Sequence, residues 1–199
     1  MTSHFLTALK KRRSQYALGK QINQSHQDIQ ALVTETMRHT PSAFHSQSSR
    51  AVILFGEESV TLWKLIEDHL REMVPADNFA ATEEKLRSFA AGVGTILFYE
   101  DMDPVRDLQE RYPLYADNFP IWSEHANGMA QFAVWTALAD AGIGASLQHY
   151  IPFADEAIRT QWGLPTQWKL RAQMPFGSIE GEPMDKTFIA DEERVKVFG

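Results

Sequence analysis

Three short apolar runs, residues 51–55, 94–99 and 168–176, are scattered among long stretches of helical periodicity. That spacing limits the chain to a small sheet wrapped by helices. Ala51-Val52-Ile53-Leu54-Phe55 and Gly94-Thr95-Ile96-Leu97-Phe98-Tyr99 are continuous and partly β-branched, as strands buried on both faces are. Trp168, Leu170, Ala172, Met174 and Phe176 instead alternate with Lys169, Arg171, Gln173 and Pro175, which predicts a strand with one wetter face. A further strand is expected over 145–150. Helices are predicted over 3–12, from Ser25 as N-cap to a stop before Pro41, over 59–73, from Thr82 as N-cap, and over 104–111, 123–141 and 155–162. Residues 112–122, aromatic and broken by Pro113 and Pro120, are expected to be partly irregular. Strands and helices do not alternate as βαβ units. The expected class is therefore α+β, with a small mixed, mainly antiparallel sheet wrapped by helices.

At 199 residues the chain is expected to form a single domain over 1–199, or one subunit of an intertwined dimer. Hydrophobic residues make up 44%, with 12 Phe and 5 Trp, enough for a sizeable core. A net charge of −7 argues against nucleic acid as a partner. The absence of Cys excludes disulfides, thiolate catalysis and cysteine-ligated metal centres. None of the seven histidines forms an H-E-x-x-H pattern or another tight ligand pair, so no metal site is expected. Neither a P-loop nor a G-x-S-x-G nucleophile elbow occurs. The basic residues Lys10 to Arg13 are followed over 14–30 by no apolar h-region, and no window approaches about 18 apolar residues. A cytoplasmic protein without membrane contact is expected. From 177 onward the chain turns to Gly, Pro and charge, with Phe188, Ile189, Val195, Val197 and Phe198 unable to bury themselves. Such a tail, 177–199, is expected to dock on its own body or on a partner subunit.

Two polar blocks are unsuited to a packed core. Arg12-Arg13-Ser14 puts two guanidiniums and a hydroxyl in one turn of backbone. Guanidiniums match phosphate oxygens, although a basic helix C-terminus is also favoured by the helix dipole. Pro41-Ser42-Ala43-Phe44-His45-Ser46-Gln47-Ser48-Ser49-Arg50 crowds hydroxyls, an amide and an imidazole into a loop before a buried strand. It suits either the edge of a flat heterocycle or a solvated turn. Together the blocks fit a ligand with an anionic end and a flat, hydrogen-bonding end, such as a flavin nucleotide. Gly142-Ile143-Gly144 lacks the third Gly and the strand–turn–helix order of a dinucleotide fingerprint. Its glycines still permit a backbone to approach a ligand closely.

These two blocks, with Ala91-Gly92-Val93-Gly94-Thr95-Ile96-Leu97-Phe98-Tyr99-Glu100-Asp101, the stretch 142–150 and Leu170-Arg171-Ala172-Gln173-Met174-Pro175-Phe176-Gly177, occur in the order found in a known family. Taken together they resemble the FMN-dependent nitroreductases, and within them the fatty-acid-repression-mutant-like (Frm/Hbn-type) branch. The resemblance implies an intertwined homodimer with FMN at the subunit interface and the 177–199 extension docked on the partner. By position, Arg12 holds the FMN phosphate, while Arg13 and Ser14 line the phosphate and ring end. His45, Gln47 and Ser48 come from the opposite subunit to the ribityl chain and ring edge. Ser146, Leu147, Gln148 and His149 run beside the isoalloxazine. Lys186, or alternatively Arg171, meets the phosphate. Tyr16 stands where much of the wider family has Lys or Arg, so the reduced flavin would find less cationic help there. His45 replaces the family's usual Asn.

The activity implied is ping-pong oxidoreduction. NADH or NADPH reduces the flavin and leaves, then an electron-poor aromatic such as a nitroaromatic or quinone takes its place. The flavin does the chemistry, so no catalytic side chain is expected; Phe44, Phe119 and Trp122 are the expected substrate-stacking residues. Two other readings stay open on the sequence: a flavin-binding redox sensor or regulatory protein with little turnover, and a cofactor-free interaction protein.

Overall fold

The structure, a computed structural model, describes residues 3–75, 77 and 79–199. Its strands are β1 (Leu18–Gly19), β2 (Ser49–Phe55), β3 (Gly94–Asp101), β4 (Gly144–Ala145) and β5 (Trp168–Ile179). Its helices are α1 (His4–Lys11), α2 (His26–Arg38), α3 (Glu57–Arg71), α4 (Phe79–Ala90), α5 (Met102–Arg111), α6 (Phe119–Asp140), α7 (Asp155–Trp162) and α8 (Asp191–Arg194). The sheet runs β1-β5-β3-β2, with β4 also against β5, and every pairing between named strands is antiparallel. A parallel contact survives only as the isolated bridge Ser14–Ala145 among the described residues. The α+β expectation is met.

β3 is buried along its whole length, as its unbroken apolar run predicts. Ile96 and Phe98 face one core with Ile29 and Val33 of α2, Val134 and Leu138 of α6, and Ala172, Met174 and Phe176 of β5. Leu97 and Tyr99 face the other with Leu62, Trp63 and Ile66 of α3, Leu86 and Phe89 of α4, and Ile158 of α7. Helices thus cover both faces.

β5 departs from the predicted clean alternation. Phe98 pairs with Ala172 and Tyr99 with Leu170, so Arg171 is an extra residue in a β-bulge. The bulge explains why Leu170 joins one core and Ala172 the other. No wet face results, and Gln173 is fully buried. Its amide is satisfied by the Tyr150 backbone, donating to the carbonyl at 3.1 Å and accepting from the N–H at 2.9 Å. The strand expected over 145–150 shrinks to β4 and a bridge between Gln148 and Gln173.

Helix starts depend on local chemistry. Ser25 and Asp28 form a capping box at α2, as the sequence indicates. The Thr82 cap is a misreading: α4 already runs from Phe79, because Phe79, Leu86 and Phe89 form one buried stripe. α6 begins four residues before its predicted start, with Pro120 in its first turn, where the missing N–H costs nothing. Beyond Glu180 the tail has no regular element apart from the four-residue α8, and Phe188, Val195, Val197 and Phe198 are exposed. No helix among the described residues is long and apolar enough to cross a membrane.

The α3 layer is pinned to β3 by one buried polar contact. Trp63 Nε1 donates to Thr95 Oγ1 at 2.9 Å, and the Thr95 and Ser59 hydroxyls share a hydrogen bond at 2.7 Å. Thr95→Val keeps the shape but strands a buried indole N–H and a buried hydroxyl. It is expected to lower stability by about 1–3 kcal/mol, read as a lower urea midpoint with unchanged slope. An unmoved midpoint would show that this contact contributes nothing.

Candidate functional site

One corner of the site is built where α1 ends. Lys11 Nζ donates to the Asp140 carbonyl at 3.0 Å, and the Arg12 guanidinium lies 4.4 Å from the centroid of Trp135. Trp135 Nε1 and the Gln15 N–H both donate to the Ala145 carbonyl, at 3.1 and 2.9 Å. Arg12, Ser14, Trp135 and β4 are thereby held together near the C-terminal end of α6. Arg12 Nε is buried and has no hydrogen-bond partner among the described residues. Burial first, and the adjacent Arg13 charge second, lower the Arg12 pKa, although a guanidinium stays charged. A buried donor on an unrelieved pair of cations is what an anion would satisfy.

The neighbouring residues are sorted by exposure. Ser146 and Gln148 are buried, and the Gln148 amide donates to Ser146 Oγ at 3.1 Å. Leu147 is half-buried, while His149 and Tyr16 are exposed. The room made by Gly144 is filled by the protein itself, since a Cβ there would lie 2.8 Å from Ile179 and 3.1 Å from Gln15. The close approach expected of this glycine is thus to its own chain. The Lys186 ammonium sits 5.1 Å from the centroid of Phe188. The tail meets this corner through Met184, whose carbonyl accepts from Arg13. Arg171 is also elsewhere, paired with Glu124 in the N-terminal half of α6.

The other corner is the loop before β2. Phe44, His45 and Gln47 have positive φ values of 53°, 53° and 47°. Each such non-glycine residue costs about 1–3 kcal/mol, so surrounding contacts must impose the shape. Phe44 lies among aromatic rings: Tyr112 at 4.9 Å, Phe119 at 5.2 Å, Trp122 at 6.1 Å and Tyr115 at 6.2 Å between centroids. Phe119 is only 2% exposed and packs with Met102, Val105 and Leu108. It is core beneath the rings and not free to stack on a substrate, and Trp122 lies on a regular helix. The exposed rings are Phe44, Tyr112 and Tyr115. A cleft of about 430 Å³ opens between Ala43, Phe44, Trp122, His125 and Met129.

Beneath this loop lies a buried carboxylate. Glu100 Oε2 accepts from Asn127 Nδ2 at 2.9 Å and Ser49 Oγ at 3.2 Å, and Gln131 supports Asn127 at 2.7 Å. Burial pushes the Glu100 pKa up against the opposing pull of Ser48, Asn127 and Ser49.

The protomer sets its two corners apart. Arg12 packs on Trp135 and Phe44 on Trp122, thirteen residues away on one helix, or about 20 Å along its axis. Arg12, Arg13, Ser14, Ser146, Leu147, Gln148 and His149 belong to one corner; Phe44, His45, Gln47, Ser48, Phe119 and Trp122 belong to the other. Sequence reasoning missed Trp135, Tyr112, Tyr115, Glu100 and Asn127. Only Glu100 carries a signal, as a carboxylate directly closing an apolar run.

Residues 9–178 match the family model described as the Nitroreductase family. The nitroreductase FRM2 of Saccharomyces cerevisiae is 33% identical over 190 residues, covering 94% of each chain. The nitroreductase CinD of Lactococcus lactis, solved in complex with chloramphenicol, aligns at a TM-score of 0.90 with 44% identity, over 98% of this chain and 100% of that one. CinD has also been solved with 4-nitrophenol. A Desulfovibrio desulfuricans protein solved with FMN shares the fold at a TM-score of 0.73 and 16% identity, over 100% of both chains.

The Glu100 environment has a pH consequence. Its folded-state pKa is raised above the unfolded value of about 4.3, so ionisation works against the fold. The cost is absent below the unfolded pKa and grows as pH rises through the folded pKa. Glu100→Gln is therefore expected to gain stability relative to the parent over the range from about pH 4 upward. Urea unfolding across that range checks this, and a pH-independent difference would contradict it.

Proposed function

The chain belongs to the nitroreductase family, and from that membership we propose an FMN-dependent NAD(P)H oxidoreductase that reduces nitroaromatics or quinones. The observation that carries the reading is the state of Arg12: a buried, unpartnered guanidinium N–H on a cation pressed against a second cation. That fits a phosphate. FMN in a protein of the same fold, and the nitroaromatic ligands of CinD, support the cofactor and acceptor class. When bound, FMN would supply the redox step, taking two electrons from NAD(P)H and passing them to an acceptor in a separate half-reaction.

This chain's residues then bind, orient and exclude water. Arg12 and Arg13 would hold the phosphate, with Ser14 as a further donor and Lys186 approaching from the tail. Leu147 and His149 would present side chains to the ring, on a backbone fixed by Ser146 and Gln148. His45, Gln47 and Ser48 would come from a second subunit. Ile121, His125, Met129 and Phe132 form an exposed stripe along α6 between the two corners, flanked by exposed Phe5 and Leu6 of α1. A two-fold pairing along this stripe sets one subunit's Arg12 corner beside its partner's loop. It also gives the apolar tail from 177 a partner surface to cover. Phe44, Tyr112, Tyr115 and Trp122 would supply flat faces for an aromatic acceptor.

Purified protein titrated with FMN is expected to show bound-flavin absorbance that bleaches with anaerobic NADH and returns on adding a nitroaromatic. Slow or absent return would favour a sensor, and no flavin uptake would sink the reading. Arg12→Leu is expected to weaken FMN binding at least about tenfold, the scale of one lost charge-assisted hydrogen bond. Trp122→Ala is expected to change the ratio of kcat/KM between nitroaromatic and quinone more than it changes FMN affinity. Equal effects on both would argue against an acceptor role.

A further inference from the structure

The three left-handed residues of the 44–49 loop need something to hold them, and Phe44 is gripped by aromatic rings at one end only. At the other end the grip is polar and falls on backbone carbonyls. The Asp101 N–H donates to the Ser48 carbonyl at 2.9 Å. The Arg50 guanidinium donates to the carbonyls of Gln47 and Ser49. Asp101 Oδ2 holds that guanidinium at 2.9 Å, while its Oδ1 accepts the Asp103 N–H at 3.1 Å and so caps α5. Three consecutive carbonyls, 47 to 49, are thus tied to one residue of β3, directly or through one arginine.

The chemistry of the tie is particular to its residue types. A guanidinium is a planar fork that can serve two carbonyls and a carboxylate at once; an ammonium has the charge without that geometry. The Arg50 side chain is 31% exposed and that of Asp101 only 11% exposed, so the pair is partly sheltered from water. Arg50 also lies 5.9 Å from the centroid of the Trp168 ring, which limits where its head can swing.

We propose that Arg50 and Asp101 are positioning residues that hold the 44–49 loop in its ligand-receiving shape, without themselves touching cofactor or substrate. The proposal rests on the flavoenzyme reading for what the loop receives. Because Asp101 also starts α5, it couples the loop to the connection that carries Tyr112 and Tyr115. Cofactor edge and acceptor surface are then set by one carboxylate.

The test uses full-length protein with Arg50→Lys and Asp101→Asn. Asn is as good an N-cap as Asp, so the second variant keeps the α5 cap through its one oxygen and replaces the charged acceptor facing Arg50 with an amide donor. Two measurements are made: amide hydrogen exchange in the FMN-free protein, and FMN affinity by absorbance titration. Both variants are expected to raise exchange over 44–49 about tenfold or more while β3 stays protected, and to weaken FMN binding about tenfold. Unchanged loop exchange would overturn the clamp whatever happens to FMN. Faster exchange with unaltered FMN affinity would overturn its role in ligand positioning. If the parent protein takes up no FMN, the flavoenzyme reading fails and the ligand-positioning role fails with it. Loop exchange in the variants still shows whether the clamp itself holds.

Discussion

Complete burial of β3 is the constraint from which the rest of the molecule follows. A strand covered on both faces needs apolar partners above and below, and α2 with α6 and α3 with α4 and α7 supply them. The apolar side chains, not the burial, run out at the strand's last two residues, Glu100 and Asp101, which are both carboxylates. One accepts from Asn127 and Ser49 while burial pushes its pKa up; the other caps the next helix and grips Arg50. The end of the hydrophobic core is therefore the place from which the polar loop is held.

The 22-residue α6 acts as the ruler of the site. Its N-terminal turns carry Trp122 against Phe44, and its C-terminal turns carry Trp135 against Arg12. A straight helix cannot bring those points together, so the chain holds them as two separate corners. The exposed apolar stripe between them is what an isologous pairing would bury, and such a pairing would complete two equal sites at once.

The parts of the fold written in local chemistry were legible. The α2 capping box depends on Ser25 and Asp28 alone, and α7 ends at Gly163, whose left-handed φ of 59° suits glycine. β3 was legible because a continuous apolar run has few other uses. What failed depended on distant contacts. Nothing near Arg171 marks it as a bulge, because the bulge is a relation between β5 and β3. The 145–150 segment does bond to β5 through its backbone as far as Gln148, but at Tyr150 the Gln173 side chain replaces the ladder and the continuous strand is lost. Thr82 looked like a cap because capping signals are local, whereas the stripe from Phe79 is satisfied only by packing. Phe119 reads as a stacking residue because Pro120 reads as a break, although proline is at home in a helix's first turn. Of the candidate site, the arginines and the polar loop were visible as composition. Trp135, Tyr112 and Tyr115 were not, because an aromatic residue reads the same in a core and beside a ligand.

Charge adds a last constraint. A chain of net charge −7 repels an anion at long range, yet the field of distant groups is screened beyond about 8 Å at physiological salt. Any attraction for a phosphate must be short-ranged, and the sequence concentrates it by setting Arg12 and Arg13 side by side. That placement works against folding, as the lowered Arg12 pKa and its unpartnered Nε record. Trp135 offsets part of the cost by offering its ring face to the guanidinium. The strained loop follows the same logic, with left-handed residues kept in place by rings at one end and a carboxylate clamp at the other. Both corners hold groups at a cost in free energy, a left-handed backbone in one and a partly desolvated cation in the other. Structure of that kind is retained where it serves a ligand.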